Sequence, residues 1–170
     1  MNPYILLAKE AIENYIEKGE IISLSKDLPK ELLTQKAGIF VTIMKNGSLR
    51  GCIGTYMPTK ENIAKEIIAN AIAAAIEDYR FGPIQIQELP ELSYSVYILN
   101  EPKLIKDIEE LNPKKYGIIV KSGSKTGLLL PDLEEIDTIE KQISIACQKG
   151  GIHPGQEKIS IYKFTVEKYQ

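Results

Sequence analysis

Apolar residues open the chain at helical spacing. Ile5, Ala8, Ala11, Ile12, Tyr15 and Ile16 recur three or four apart behind Pro3, predicting a helix that stops at Gly19. Residues 23–36 are polar, carry Pro29, and read as a connection without fixed structure. The period then changes. Ile39-Phe40-Val41-Thr42-Ile43-Met44 is rich in strand formers, and Asn46-Gly47 supplies the two positive-φ residues of a tight hairpin turn. Residues 49–55 form the returning strand. A long helical stretch follows Pro58, with Thr59 as N-cap and Glu61 and Glu66 near the favourable end of the dipole. Ile63, Ile67, Ala71, Ala74 and Ala75 trace its buried stripe, and it ends near Asp78 because Gly82-Pro83 cannot continue it.

In the second half, Leu92, Tyr94, Val96 and Ile98 alternate along a strand over 92–99. A short helix over 105–111 is closed by Asn112-Pro113, and residues 116–120 and 126–130 form a second hairpin around Gly123. Asp137, with Glu140 three residues on, matches a capping box opening a helix through Cys147 to Gly150-Gly151. A final strand over 159–166 returns the chain to a sheet. Hairpins and helices alternate without a βαβ rhythm, so the pattern predicts α+β: one domain over 1–170, its mainly antiparallel sheet flanked by helices.

Composition narrows the function classes. With 21 basic and 23 acidic residues among 170, the net charge of −2 argues against a generic nucleic-acid binder. No run approaches the roughly 18 apolar residues of a membrane span. No basic-plus-apolar leader opens the chain, and two cysteines make no disulfide scaffold, so the expected setting is a reducing cytoplasm. One histidine and two cysteines leave no ordinary zinc site, and no metal or cofactor is expected. Arginine occurs only at Arg50 and Arg80, lysine serving everywhere else.

Both arginines sit in unusual surroundings. In Leu49-Arg50-Gly51-Cys52-Ile53-Gly54, strand alternation puts Arg50 and Cys52 on one face and Leu49 and Ile53 on the other. The two glycines allow a ligand or a second backbone to approach. A guanidinium beside a thiol favours the thiolate. Cys52 is therefore a candidate nucleophile with Arg50 as anion clamp; the competing reading is a small buried cysteine beside a structural Arg50 network. In Asp78-Tyr79-Arg80-Phe81-Gly82-Pro83, an arginine, a carboxylate and an aromatic ring beside a rigid turn form either a pocket wall or an ordinary helix end. Other features carry less. Residues 123–127 lack the spaced first glycine of a phosphate loop, His153 reads as a loop residue, and Cys147 reads as core.

The segment Leu49-Arg50-Gly51-Cys52-Ile53-Gly54-Thr55 resembles the hallmark of the AMMECR-type domain family. Gly38-Ile39-Phe40-Val41-Thr42, Ala73-Ala74-Ala75, Glu88-Leu89, Gly127-Leu128-Leu129-Leu130-Pro131 and Cys147-Gln148-Lys149-Gly150-Gly151 extend the resemblance over almost the whole chain. The 78–83 stretch resembles the family's Asp-Pro-Arg-Phe-type motif, with Tyr79 in place of the usual proline and Gly82 where proline is common. The resemblance implies a larger α+β part built from both chain ends, a smaller inserted part, and a cleft between them near the hexapeptide. It also implies the A component of the bacterial AmmeMemoRadiSam set, which accompanies a Memo-like protein and a radical SAM enzyme.

Three functions follow as expectations. In the first, an accessory protein binds a small anionic or carboxylate ligand, or a partner segment, through Leu49, Arg50, Gly51, Cys52, Ile53, Gly54, Asp78, Arg80 and Phe81. In the second, an enzyme uses Cys52 as nucleophile or thiol carrier, activated by Arg50, although no histidine base is evident. The third, a nucleic-acid-associated regulator, lacks the basic aromatic surface it needs. The arginine pair yields one spatial expectation: Arg50 and Arg80 face one cleft with Cys52 between or beside them.

Overall fold

The computed structural model describes all 170 residues as two compact units, the first comprising Met1–Leu99 with Glu167–Gln170 and the second Asn100–Val166. The fold is α+β with antiparallel pairing, as the alternation of hairpins and helices predicts, but the strands divide into two four-stranded sheets.

In the first unit, helix α1 (Pro3–Lys18) is capped by the Asn2 side chain and stops at Gly19, whose φ of 70° is left-handed. The predicted connection after it contains a short helix, α2 (Lys30–Thr34), anchored by the fully buried Leu32. The hairpin forms as read, with β1 (Gly38–Lys45) and β2 (Ser48–Thr55) joined through Asn46 and Gly47 at φ 49° and 81°. Helix α3 (Ile63–Ile76) is capped by Asn62, whose side chain accepts from the Lys65 N–H. Thr59 does not cap it, because its backbone and hydroxyl both turn to Glu66.

β3 (Leu92–Leu99) lies beside β1, and the strand order is β2-β1-β3-β8, with β8 (Val166–Tyr169) supplied by the chain end. Tyr169 stacks on Tyr4, ring centroids 4.2 Å apart, so aromatic packing ties that end to α1. Ile39, Val41, Ile43, Val96 and Ile98 point to the same side as α1 and α3, and with Ile12 and Ile67 they form the core. The predicted α3 stripe is buried throughout. Glu66 and Asn70 are buried in α3 as well, so this helix is enclosed on most sides and not merely amphipathic.

In the second unit, β4 (Lys103–Leu104), β5 (Gly117–Ser122), β6 (Lys125–Leu129) and β7 (Ser160–Phe164) are ordered β4-β7-β5-β6. The helix expected over 105–111 is absent. Lys103 and Leu104 just before it pair with β7, the Ile105 N–H donates to the Ile161 carbonyl, and Ile108–Glu110 makes a single 3-10 turn closed by Asp107 and Glu110. The expected final strand is broken at Thr165, so β7 and β8 belong to different sheets. Asn100 and Thr165, where the chain enters and leaves this unit, are joined by a backbone bond of 2.9 Å and a side-chain bond of 2.7 Å.

Helix α4 (Ile139–Gly150) begins one residue later than the capping-box reading, on Thr138, because Asp137 pairs with Lys114 instead. It packs on β6 through Gly127, where any Cβ would collide with the Ala146 carbonyl. Cys147 is core, as read. No helix in either unit is long and apolar enough to cross a membrane.

Candidate functional site

The hexapeptide occupies β2, the outer strand of the first sheet, and its register explains its geometry. Ile43 pairs with Gly51 but the next residue, Met44, pairs with Leu49, so Arg50 is the extra residue of a β-bulge. Strict alternation therefore fails at Arg50. Leu49 lies opposite Met44 and shares the face of Cys52, not that of Ile53. Gly51 and Ile53, opposite Ile43 and Val41, face the core; a Cβ on Gly51 would strike the Ala74 carbonyl, so β2 and α3 touch through a glycine. Gly54 lies under the Phe40 ring.

The bulge aims Arg50 away from the ladder. Its Nε and Nη2 donate to the two oxygens of Glu88 at 2.8 and 2.9 Å, and Nη1 and Nη2 reach the carbonyls of Gly82 and Pro83 at 3.0 and 3.2 Å. The side chain is only 14% exposed. Glu88, from the 3-10 turn Ile86–Glu91, also accepts from Lys45 and from the Gln85 N–H. The Arg50 fork, with help from that backbone bond and Lys45, holds the Glu88 carboxyl at about 2, well below the usual range. Arg50 thereby makes the structural network that was one of its two readings.

Arg80 is held differently. Its Nε and Nη2 donate to the Asp78 carboxylate at 3.0 and 2.8 Å, and Nη2 also approaches the Cys52 carbonyl at 3.5 Å. Asp78 is buried and accepts the Cys52 N–H at 2.9 Å as well. The Arg80 fork and these backbone bonds hold its carboxyl at about 2 despite burial. Arg80 itself stays 46% exposed, and Nη1 donates to no atom of the chain. Its guanidinium lies 5.2 Å from the Phe81 ring centroid, and Tyr79 beside it is 95% exposed.

Cys52 sits between these groups. Its N–H goes to Asp78 and its carbonyl toward Arg80, so both backbone groups turn outward from β1, and Asp78 and Arg80 cover an otherwise open sheet edge. Its half-buried thiol lies 3.2 Å from the Thr42 hydroxyl on the facing strand. The 78–83 turn is thus fastened to β2 twice, by Asp78 at Cys52 and by Arg50 at Gly82 and Pro83.

Glu88 enters the sequence reading only through the family resemblance, and that reading does not mark Glu66 as a buried carboxylate. Glu66 accepts from the Thr55 and Thr59 hydroxyls at 2.7 Å each and from the Thr59 and Lys60 N–H groups at 2.8 and 2.7 Å. Burial pushes this carboxyl up, but the four donors outweigh it and leave it lowered. Asn70, one turn on, donates to Thr55 and to the Ile39 carbonyl. The sequence did hold a signal: Glu66 and Asn70 fall inside the apolar stripe of α3, at helical spacing from Ile63 and Ile67. No group of three or more histidine, cysteine, aspartate or glutamate side chains is arranged to hold a metal ion. His153 lies in the second unit, exposed, with its N–H on Glu157.

A family model described as AMMECR1 matches residues 5–169. A Thermotoga maritima protein is 51% identical, the alignment covering 99% of this chain and 98% of the relative. A Clostridium acetobutylicum protein is 45% identical over 99% of this chain, which spans 36% of that longer protein. The crystal structure of an uncharacterized protein from Pyrococcus horikoshii superposes with a TM-score of 0.91 at 34% identity, covering 97% of this chain and 88% of the other.

Proposed function

The chain belongs to the AMMECR1 family, and from that premise we propose that it is a binding protein whose Asp78–Phe81 turn receives an anionic or carboxylate group carried by a small ligand or by a Memo-like or radical SAM partner. One observation carries this reading. Arg80 is fixed by a buried carboxylate yet keeps one guanidinium nitrogen without a partner, open to solvent. A fork clamped on one edge loses little freedom when its other edge is engaged, which favours recognition of a planar anion. Phe81 and Tyr79 add apolar, ring-bearing surface at the same place. In this reading Arg50 is a positioning residue, since Glu88 and the turn carbonyls occupy its donors.

The thiol-nucleophile alternative has the Cys52 sulfur half-buried on the same strand, but it needs a base, and the first unit contains no histidine. Co-purification with tagged Memo-like and radical SAM proteins tests the proposal. Capture should persist with Cys52→Ser and fail with Arg80→Ala; failure of the wild type to capture either protein or any small anion would refute it.

A further inference from the structure

A second recognition surface lies elsewhere on the first unit, between the segment after α1 and the middle of α3. Residues Ile21, Ile22, Ser23 and Leu24 belong to no helix or strand, and their backbone N–H and C=O groups bond to no other backbone or side-chain group. Their burial nevertheless alternates as in a strand: Ile22 and Leu24 pack on the core while Ile21 and Ser23 stand outward, Ile21 at 67% exposure. Beside them runs a groove of about 490 Å³, floored by Ile68, Ala69 and Ile72 of α3 and rimmed by Lys60 and Lys65. Lys65 is paired with Glu61, whereas Lys60 has no carboxylate partner. The lining of the groove carries these two lysines and no acidic side chain, so its rim is basic.

We propose that this groove binds an extended, acidic peptide segment of a partner protein, which pairs its backbone with residues 21–24. Each feature selects one property of the occupant. A backbone whose donors and acceptors are unpaired and whose side chains alternate in burial is best satisfied by an extended backbone laid beside it, the strand-addition mode of peptide recognition. The apolar floor takes alternate side chains of that peptide, and the basic rim takes carboxylates between or beside them. A lipid or fatty acid would match the floor and the rim but leave the backbone groups of 21–24 unused. The proposal is independent of the Arg80 reading, because no residue is shared.

Selection of phage-displayed random dodecapeptides on the full chain tests it. The expected outcome is enrichment of peptides with apolar residues at alternate positions and a net negative charge. Binding of an enriched peptide should weaken at least about tenfold with Ile21→Asp and with Lys60→Glu, and should fall as salt rises. It should be unchanged by Arg80→Ala. N-methylation along the peptide should abolish binding at every second residue only. No enrichment, enrichment of basic peptides, indifference to N-methylation at all positions, or loss of binding only with Arg80→Ala would each overturn the proposal. Ile21 and Lys60 are both exposed, so the variants retain the fold, which their circular dichroism checks.

Discussion

The Asp78 carboxylate accepts the backbone N–H of Cys52 at 2.9 Å, and this bond ties the turn after α3 to the outer edge of β2. The same carboxylate holds the Arg80 fork, so one buried group both closes a sheet edge and aims the exposed guanidinium.

Asp78→Ala should therefore destabilise the chain by about 1–3 kcal/mol, because it strands the Cys52 N–H and releases Arg80 together. Arg80→Ala should cost less, within about 1 kcal/mol, since water can reach the exposed side of the pair. Urea denaturation of both variants checks the order; equal losses would contradict the role assigned to Asp78.

Acid should weaken the fold in a defined window. Asp78 and Glu88 ionise more readily in the folded chain, at about 2, than at their ordinary values of 3.8 and 4.5. A depressed folded value means the stabilisation is full above the ordinary values and is lost as pH falls through the folded ones. Unfolding free energy should decline between about pH 4.5 and 2. In the Asp78→Asn, Glu88→Gln double variant the decline should be shallower, as read by urea titrations at stepped pH.

Gly51→Ala should cost about 1–3 kcal/mol, since its Cβ meets the Ala74 carbonyl and helix and strand must part to admit it. Gly47→Ala tests a different cause: φ is 81° there but nothing lies near the added carbon, so only backbone strain contributes. Melting temperatures of the two variants separate collision from strain.

Glu66→Gln keeps the shape but turns an acceptor into a donor facing hydroxyls and N–H groups. The Thr59 and Lys60 amides, which donate to Glu66, should exchange with solvent about tenfold faster or more, while amides of β1 change little. Hydrogen exchange resolved by residue reads this directly.

Much of the fold was legible because its signals are local. Asn46-Gly47 dictates the hairpin, the Ile63, Ile67, Ala71 stripe dictates the buried side of α3, and Gly19 and Gly151 end their helices in the left-handed region as helix stops do. The errors arose where tertiary partners decided. The bulge at Arg50 reverses the face of Leu49, and nothing in 49–54 encodes it; Arg50 turns aside to the distant carbonyls of Gly82 and Pro83. The 105–111 segment has helical spacing, yet its first residue, Ile105, gives its N–H to the Ile161 carbonyl of β7. At the site, the sequence singled out both arginines but not their carboxylates equally. Asp78 is two residues from Arg80, whereas Glu88 is 38 residues from Arg50, a pairing that only the fold creates.

Arg80, fixed by Asp78, keeps one edge of its guanidinium open, and on the proposed function that edge receives an anionic group. Calorimetric titration of the wild type, Arg80→Ala and Arg80→Lys with a purified Memo-like or radical SAM protein measures this most directly. Arg80→Ala should lose about tenfold to hundredfold in affinity, with little rescue by lysine, whose point charge cannot hold Asp78 and a second anion in one plane. Undiminished affinity in Arg80→Ala would contradict the proposed function.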